Sequence, residues 1–209
     1  MMRQTRGLLG LVAVLLMLAT IPGTAQAQDA GVMGEAPAGE TPVLLTSCGQ
    51  SPGPTFVKLF LGRLGYDHEL KEQATAQDLA DAQSSGSPYK SIIIVTGASL
   101  KGMGAAGVSM REELMRTEDL IAEAKRQGMT IIGAHVEGMD RRAQGAAPGD
   151  NSDEQSIDAV MPNSDVMLVR ADGNEDRRFS IISDNEGIPL VLFEKNMEMG
   201  DALGKVLKQ

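Results

Sequence analysis

Three short stretches of the 209-residue chain place reactive or ligand-binding side chains at spacings that chemistry could use. The first, Gly49-Gln50-Ser51-Pro52-Gly53, has the form G-x-S-x-G, which between a strand and a helix presents a serine as a hydrolytic nucleophile. Two features oppose that use. The residue after the nucleophile must donate its backbone N–H to the oxyanion, and Pro52 has none. Ser51 also stands about four residues beyond the expected strand, where a strained elbow needs an abrupt turn. Ser47, Gln50 and Ser51 are therefore expected as hydrogen-bonding ligand contacts in a turn, not as catalysts. Cys48, beside them, reads as a small buried hydrophobe. Its competing use is a thiolate activated by the following helix N-terminus, with His135 as base.

The second stretch, Lys101-Gly102-Met103-Gly104-Ala105-Ala106-Gly107, contains G-x-G-x-x-G. The dinucleotide-binding form of that pattern directly follows the first strand and opens its helix, whereas this copy follows a middle strand and stops short of the next helix. No cofactor is expected. The glycines would instead free a loop over Gly97 to Gly107 to aim backbone N–H groups at an anion, with Ser99, Lys101, Gly102 and Gly104 as its cradle. The third stretch ends a strand in His135, and with Arg141 it is expected to rim the same site. Asp153, Glu154 and Asp158 read as first-turn and exposed helix acids. Asp172, Glu175, Asp176, Arg177 and Arg178 read as a solvated helix face.

Composition narrows the partners. The chain carries 19 basic and 28 acidic residues, a net −9, and losing Arg3 and Arg6 with an export segment takes it to −11. Phosphate attraction needs clustered cations, so no nucleic-acid partner is expected. Two histidines and one cysteine argue against a closed Cys/His zinc site, no other metal site is suggested, and a disulfide framework is excluded. Aromatic residues at 3% and the absence of Trp count against stacking of bases or sugars.

The elements that must position these residues are legible in the hydrophobic pattern. Met1 to Ala27 has the layout of a secretory signal: Arg3 and Arg6, the apolar run Leu8 to Ala19, and the small-x-small site Ala25-Gln26-Ala27. That run is shorter than the ~20 residues of a membrane span. A periplasmic or secreted protein with no stable membrane insertion after cleavage is expected. Gln28 to Pro42 reads as a flexible linker and 43–209 as one domain. Within it, apolar strands at Val43–Ser47, Tyr66–Leu70, Ser91–Thr96, Thr130–Val136, Asp165–Val169 and Pro189–Phe193 alternate with helical patterns. This predicts a three-layer αβα sandwich with a mostly parallel sheet, flavodoxin-like or Rossmann-like, in strand order 2-1-3-4-5-6. Ligands of such sheets sit beyond the carboxyl ends of the strands, where the order reverses. The loops after the first and third strands would flank that point.

The stretches Pro42 to Ser51, Lys101 to Ser109 and Ile131 to His135 together resemble an exported bacterial family catalogued only as a domain of unknown function, with T-S-x-G-Q-S, K-G-x-G-A-A-G-x-S and I-I-G-x-H motifs. The resemblance implies an Ala at the Cys48 position in many relatives and brings no activity, cofactor or catalytic residue with it. The leading expectation is a non-enzymatic binding or sensing module for a small polar or anionic solute. A hydrolase or acyltransferase using Ser51 or Cys48 is the alternative, and an assembly factor whose loops contact a protein partner is the third reading.

Overall fold

The computed structural model describes residues 32–33, 36–143 and 147–208. The expected export segment and its cleavage site lie outside them. Among the described residues seven strands form one sheet: β1 (Val32–Met33), β2 (Val43–Cys48), β3 (His68–Leu70), β4 (Ser91–Thr96), β5 (Thr130–His135), β6 (Val166–Arg170) and β7 (Leu190–Phe193), in the order β1-β7-β6-β5-β4-β2-β3. Strands β2 to β7 pair in parallel, and β1 lies antiparallel on β7. Counted along the six parallel strands, the order is the expected 2-1-3-4-5-6.

The central strands are apolar at nearly every position because both faces are covered. Every residue of β4 is buried. Leu45, Ile93 and Ile132 point to one face, against Val57 and Leu61 of α1 (Gly53–Leu64) and Leu203 and Val206 of α7 (Met199–Val206). Their neighbours Leu44, Ile92 and Ile131 point to the other, against Leu79 of α2 (Ala76–Ser84) and Leu120 and Ala124 of α4 (Met110–Arg126). Farther along that face, Met167 and Leu190 pack on α5 (Ser152–Val160) and α6 (Arg178–Glu186). Successive side chains of a strand alternate faces, so one continuous apolar run feeds two cores.

Local signals set the helix ends. Ser109 Oγ accepts from the Glu112 N–H, and Glu112 Oε2 accepts from the Ser109 N–H at 2.8 Å, a capping box whose S-x-x-E spacing the sequence itself displays. Three expectations change. The glycine-rich segment is not an open loop: residues Leu100–Ala106 form a seven-residue helix, α3, begun by Ser99, whose side chain accepts from the Gly102 N–H, and ended by Gly107 in the left-handed region at φ 72°. The polar pattern, which predicts a helix over about Gly173 to Asn185, gives one only from Arg178, where Asn174 Oδ1 accepts from the Phe179 and Ser180 N–H groups of its first turn. The end of the expected linker is tied down: Gly39 N–H donates to Val206, Lys208 N–H to Gly39, and Ser91 Oγ both accepts from and donates to the Glu40 backbone.

Candidate functional site

Strand β2 is flanked by β3 on one side and β4 on the other, so the chain order reverses around it. Beyond the carboxyl ends of β2 and β4 two turns cross. The Gln50 N–H donates to Ser47 Oγ at 2.8 Å, which folds the first turn back on its strand. Gly49 and Gln50 take φ of 103° and 58°, and the Ser99 N–H donates to the Gly49 carbonyl at 2.8 Å, binding the first turn to the second. Glycine makes the crossing fit. A Cβ on Gly49 would lie 2.6 Å from the Gly97 carbonyl oxygen, and one on Gly102 would lie 2.1 Å from that of Gln50.

A buried ion pair holds the crossing from below. Glu113, on α4, is fully buried, and its Oε2 accepts from the Gly49 N–H at 3.0 Å, Gln50 Nε2 at 2.9 Å and Arg116 Nη2 at 3.0 Å. Arg116 also donates to the Ser47 and Ala74 carbonyls, both at 2.6 Å. Burial opposes ionisation of Glu113, but the bonds from Arg116, Gln50 and Gly49 outweigh it and hold the carboxyl below its ordinary range. The charge is thus fixed in place and organises the turn.

Above the crossing lies a cleft of about 670 Å³. The β2 turn contributes Gln50, Ser51 and Pro52, helix α1 Thr55, and the segment after β3 Glu72 and Gln73. The β4 side contributes Ser99, Lys101 and Gly102, and the segment after β5 Arg141. Lys101 is exposed and makes no ion pair or hydrogen bond among the described residues. Arg141 donates from Nε to Glu137 at 3.1 Å and from Nη1 to the Ala98 carbonyl at 2.9 Å, which leaves Nη2 for other partners.

Six of the nine expected contacts therefore meet in one cleft: Gln50, Ser51, Ser99, Lys101, Gly102 and Arg141. Three do not. Ser47 is fully buried and its hydroxyl is used by the Gln50 N–H. Gly104 lies on the outer side of α3, with open space around it and no share in the cleft. His135 is no rim residue: it is fully buried, with Nδ1 2.9 Å from Thr96 Oγ1 and Nε2 3.0 Å from the Gly138 carbonyl, and burial lowers its pKa to about 4. Three amides of the expected backbone cradle are taken. The Gly97 N–H donates to Ser156 Oγ, that of Ala98 to Asp153 Oδ1, and that of Gly102 to Ser99 Oγ, so these amides are already used.

Among the described residues neither nucleophile candidate is hydrogen-bonded to a base. Ser51 Oγ accepts from the Gly53 N–H at 3.3 Å, a proton shared with Glu137 Oε2 at 3.2 Å. Neither histidine lines the cleft; His68 opens β3 opposite Val43, at the other edge of the sheet. Cys48 is fully buried, and burial pushes its thiol up to about 11 despite the Thr117 hydroxyl and Arg116 nearby. Among the described residues no group of His, Cys, Asp or Glu could hold a metal ion, and no helix is long and apolar enough to cross a membrane.

Sequence reasoning missed Glu72, Glu113, Arg116 and Glu137. For Glu113 a signal existed: it stands four, seven and eight residues before Thr117, Leu120 and Ile121, on the buried stripe of α4. It also misplaced several charges as solvated. Glu154 is buried and bonded to Arg142, which reaches on to Asp176 and the Gly173 carbonyl, while Arg178 pairs with Asp158 and Arg170 with Asp172. These pairs anchor the segment that carries Arg141.

The fold and the cleft define an open α/β domain with a side-chain-lined site at the switch point of a parallel sheet. The chain belongs to the family described as a domain of unknown function, DUF6305, whose model matches residues 40–207. No curated protein matches the chain. Among solved structures, a GDSL-like lipase from Bacteroides thetaiotaomicron is similar at 11% identity and TM-score 0.34, over 72% of this chain and 66% of that one. An acetyl xylan esterase is similar at 9% identity and TM-score 0.34, over 79% and 86%. A GDP-L-fucose synthetase from Naegleria fowleri bound to NADP is similar at 9% identity and TM-score 0.34, over 73% of this chain and 48% of that one. The chain thus spans about two thirds of the lipase and half of the synthetase. At these scores the likeness assigns no activity.

Proposed function

We propose that this chain is an exported, non-enzymatic binding module that holds a small polar or anionic solute in the switch-point cleft. One observation carries the reading: Lys101, unpaired among the described residues, and the Nη2 of Arg141 line the same cleft. A cation held at such a place without a partner is suited to a charge-assisted hydrogen bond with an anionic group of the solute. The neighbouring hydroxyls of Ser51, Thr55 and Ser99 suit polar groups on the rest of it. The lack of a histidine in the cleft and of an N–H at Pro52 favours binding over acyl transfer.

Titration calorimetry with inorganic phosphate, sulfate and succinate tests this on wild type and Lys101→Ala. Loss of the lysine should weaken binding by ~1–3 kcal/mol, about 5- to 150-fold, with no change in melting temperature. Equal affinity in both proteins would remove Lys101 from the site. Labelling of Ser51 by a fluorophosphonate would instead favour the hydrolase reading. Export is tested separately: the periplasmic protein should begin at Gln28, after cleavage behind Ala27.

A further inference from the structure

The amide of Gln50 is held in one orientation, and this limits what the cleft can accept. Gln50 is only 8% exposed, and its Nε2 spends both hydrogens, one on the Glu72 carbonyl at 3.1 Å and one on Glu113 Oε2 at 2.9 Å. Both partners are acceptors only, so the nitrogen must face them and the oxygen must face away. Gln50 Oε1 has no hydrogen bond among the described residues, yet it is not among their buried unpartnered atoms, which are Thr117 Oγ1, Glu154 Oε2 and Arg178 Nε. It is therefore open to solvent, and Gln50 lines the cleft. It is a fixed acceptor with no donor among the described residues.

Beside it stands a carboxylate in the same condition. Glu72, whose backbone carbonyl holds the Gln50 amide, lines the cleft, and its side chain makes no ion pair or hydrogen bond among the described residues. Lys101 lines the cleft on the β4 side, next to Gly102, which packs on the Gln50 carbonyl. The cleft thus has an acceptor-only side, Gln50 Oε1 and the Glu72 carboxylate, and a donor-only side, the Lys101 ammonium and the Nη2 of Arg141, whose charge Glu137 offsets. The unpaired Glu72 and Lys101 line this one cleft without an ion pair between them.

From this juxtaposition we infer that the solute is a zwitterion of the α-amino-acid type, its ammonium on Gln50 Oε1 and Glu72 and its carboxylate on Lys101 and Arg141. This deepens the binding reading and rests on it. An anion without a donor would leave Gln50 Oε1 without a partner and would meet the charge of Glu72, so the two sides together favour a zwitterion over a simple anion, which would bind more weakly.

The test uses the proteinogenic amino acids, their N-acetyl derivatives and their carboxamides, titrated into the full mature chain, its Glu72→Gln variant and its Lys101→Gln variant. Both substituted side chains are exposed, so each variant should fold as wild type does. At least one free amino acid should bind wild type at least tenfold more tightly than its N-acetyl derivative. That ratio should shrink toward one in Glu72→Gln, while the advantage of free acid over carboxamide should shrink in Lys101→Gln. N-acetyl derivatives that bind as well as the free amino acids, with binding still lost in Lys101→Gln, would overturn the zwitterion and leave the anion-binding reading standing. Failure of every free amino acid to bind at millimolar concentration would overturn the zwitterion, and the phosphate, sulfate and succinate titrations would then judge the broader reading alone.

Discussion

Two glycines two residues apart in α3 should respond to alanine with opposite signs. A Cβ on Gly102 would stand 2.1 Å from the Gln50 carbonyl oxygen, where ordinary contacts begin at 3.4 Å. The turn cannot retreat easily, because the Gln50 N–H is bonded to Ser47 Oγ and its amide to Glu113. Relief therefore requires α3 to lift off the turn, and overpacking of that kind costs ~1–3 kcal/mol. Alanine returns up to about 1 kcal/mol of helix preference, so Gly102→Ala should lose up to about 2 kcal/mol in net. At Gly104, in the same helix, nothing lies within 4 Å of the added Cβ. Gly104→Ala should therefore be neutral or stabilise by about 0.5–1 kcal/mol. Urea denaturation of the three proteins measures both changes, and melting curves should show Gly102→Ala lower by a few degrees, at ~2–4 °C per kcal/mol. Ligand affinity should also fall in Gly102→Ala, since the helix that carries Lys101 is displaced. Equal shifts of the same sign at the two positions would refute the close packing of α3 on the Gln50 turn.

Two other consequences are open to measurement. Burial lowers the folded pKa of His135 from the ordinary 6.5 to about 4, so the unfolded chain takes up a proton that the folded chain refuses. The stability held by the neutral ring is complete above about pH 6.5 and is lost as pH falls toward 4, by about 2–3 kcal/mol at pH ~4.5. Urea curves at neutral pH and at that lower pH should show a smaller loss in His135→Gln than in wild type; equal losses would contradict the burial of a neutral imidazole. The Cys48 thiol, fully buried and raised to about 11, should react with a thiol reagent at neutral pH only as fast as the protein opens, and rapid stoichiometric labelling of the native chain would place it at the surface instead.

The sequence by itself determined the frame. β4 could be read because a strand covered on both faces must be apolar along its whole length, and the capping box at Ser109 and Glu112 is a purely local contact. Short alternating elements with parallel pairing leave few arrangements, which is why the strand order and the switch-point location followed. What only the tertiary structure decided are the contacts between segments far apart in the chain. Gly102 looked like a loop residue, yet its lack of a Cβ serves a helix that presses on Gln50, 52 positions earlier. Ser47 and His135 carry groups suited to a ligand, but the Gln50 N–H, Thr96 and the Gly138 carbonyl use them inside the protein. Glu113 drew no functional reading from the sequence, and it became the anchor of the turn because α4 lays it under the amides of Gly49 and Gln50. A polar side chain has the same chemistry in the cleft or beneath it; its partners across the fold determine whether that chemistry is free to meet a solute.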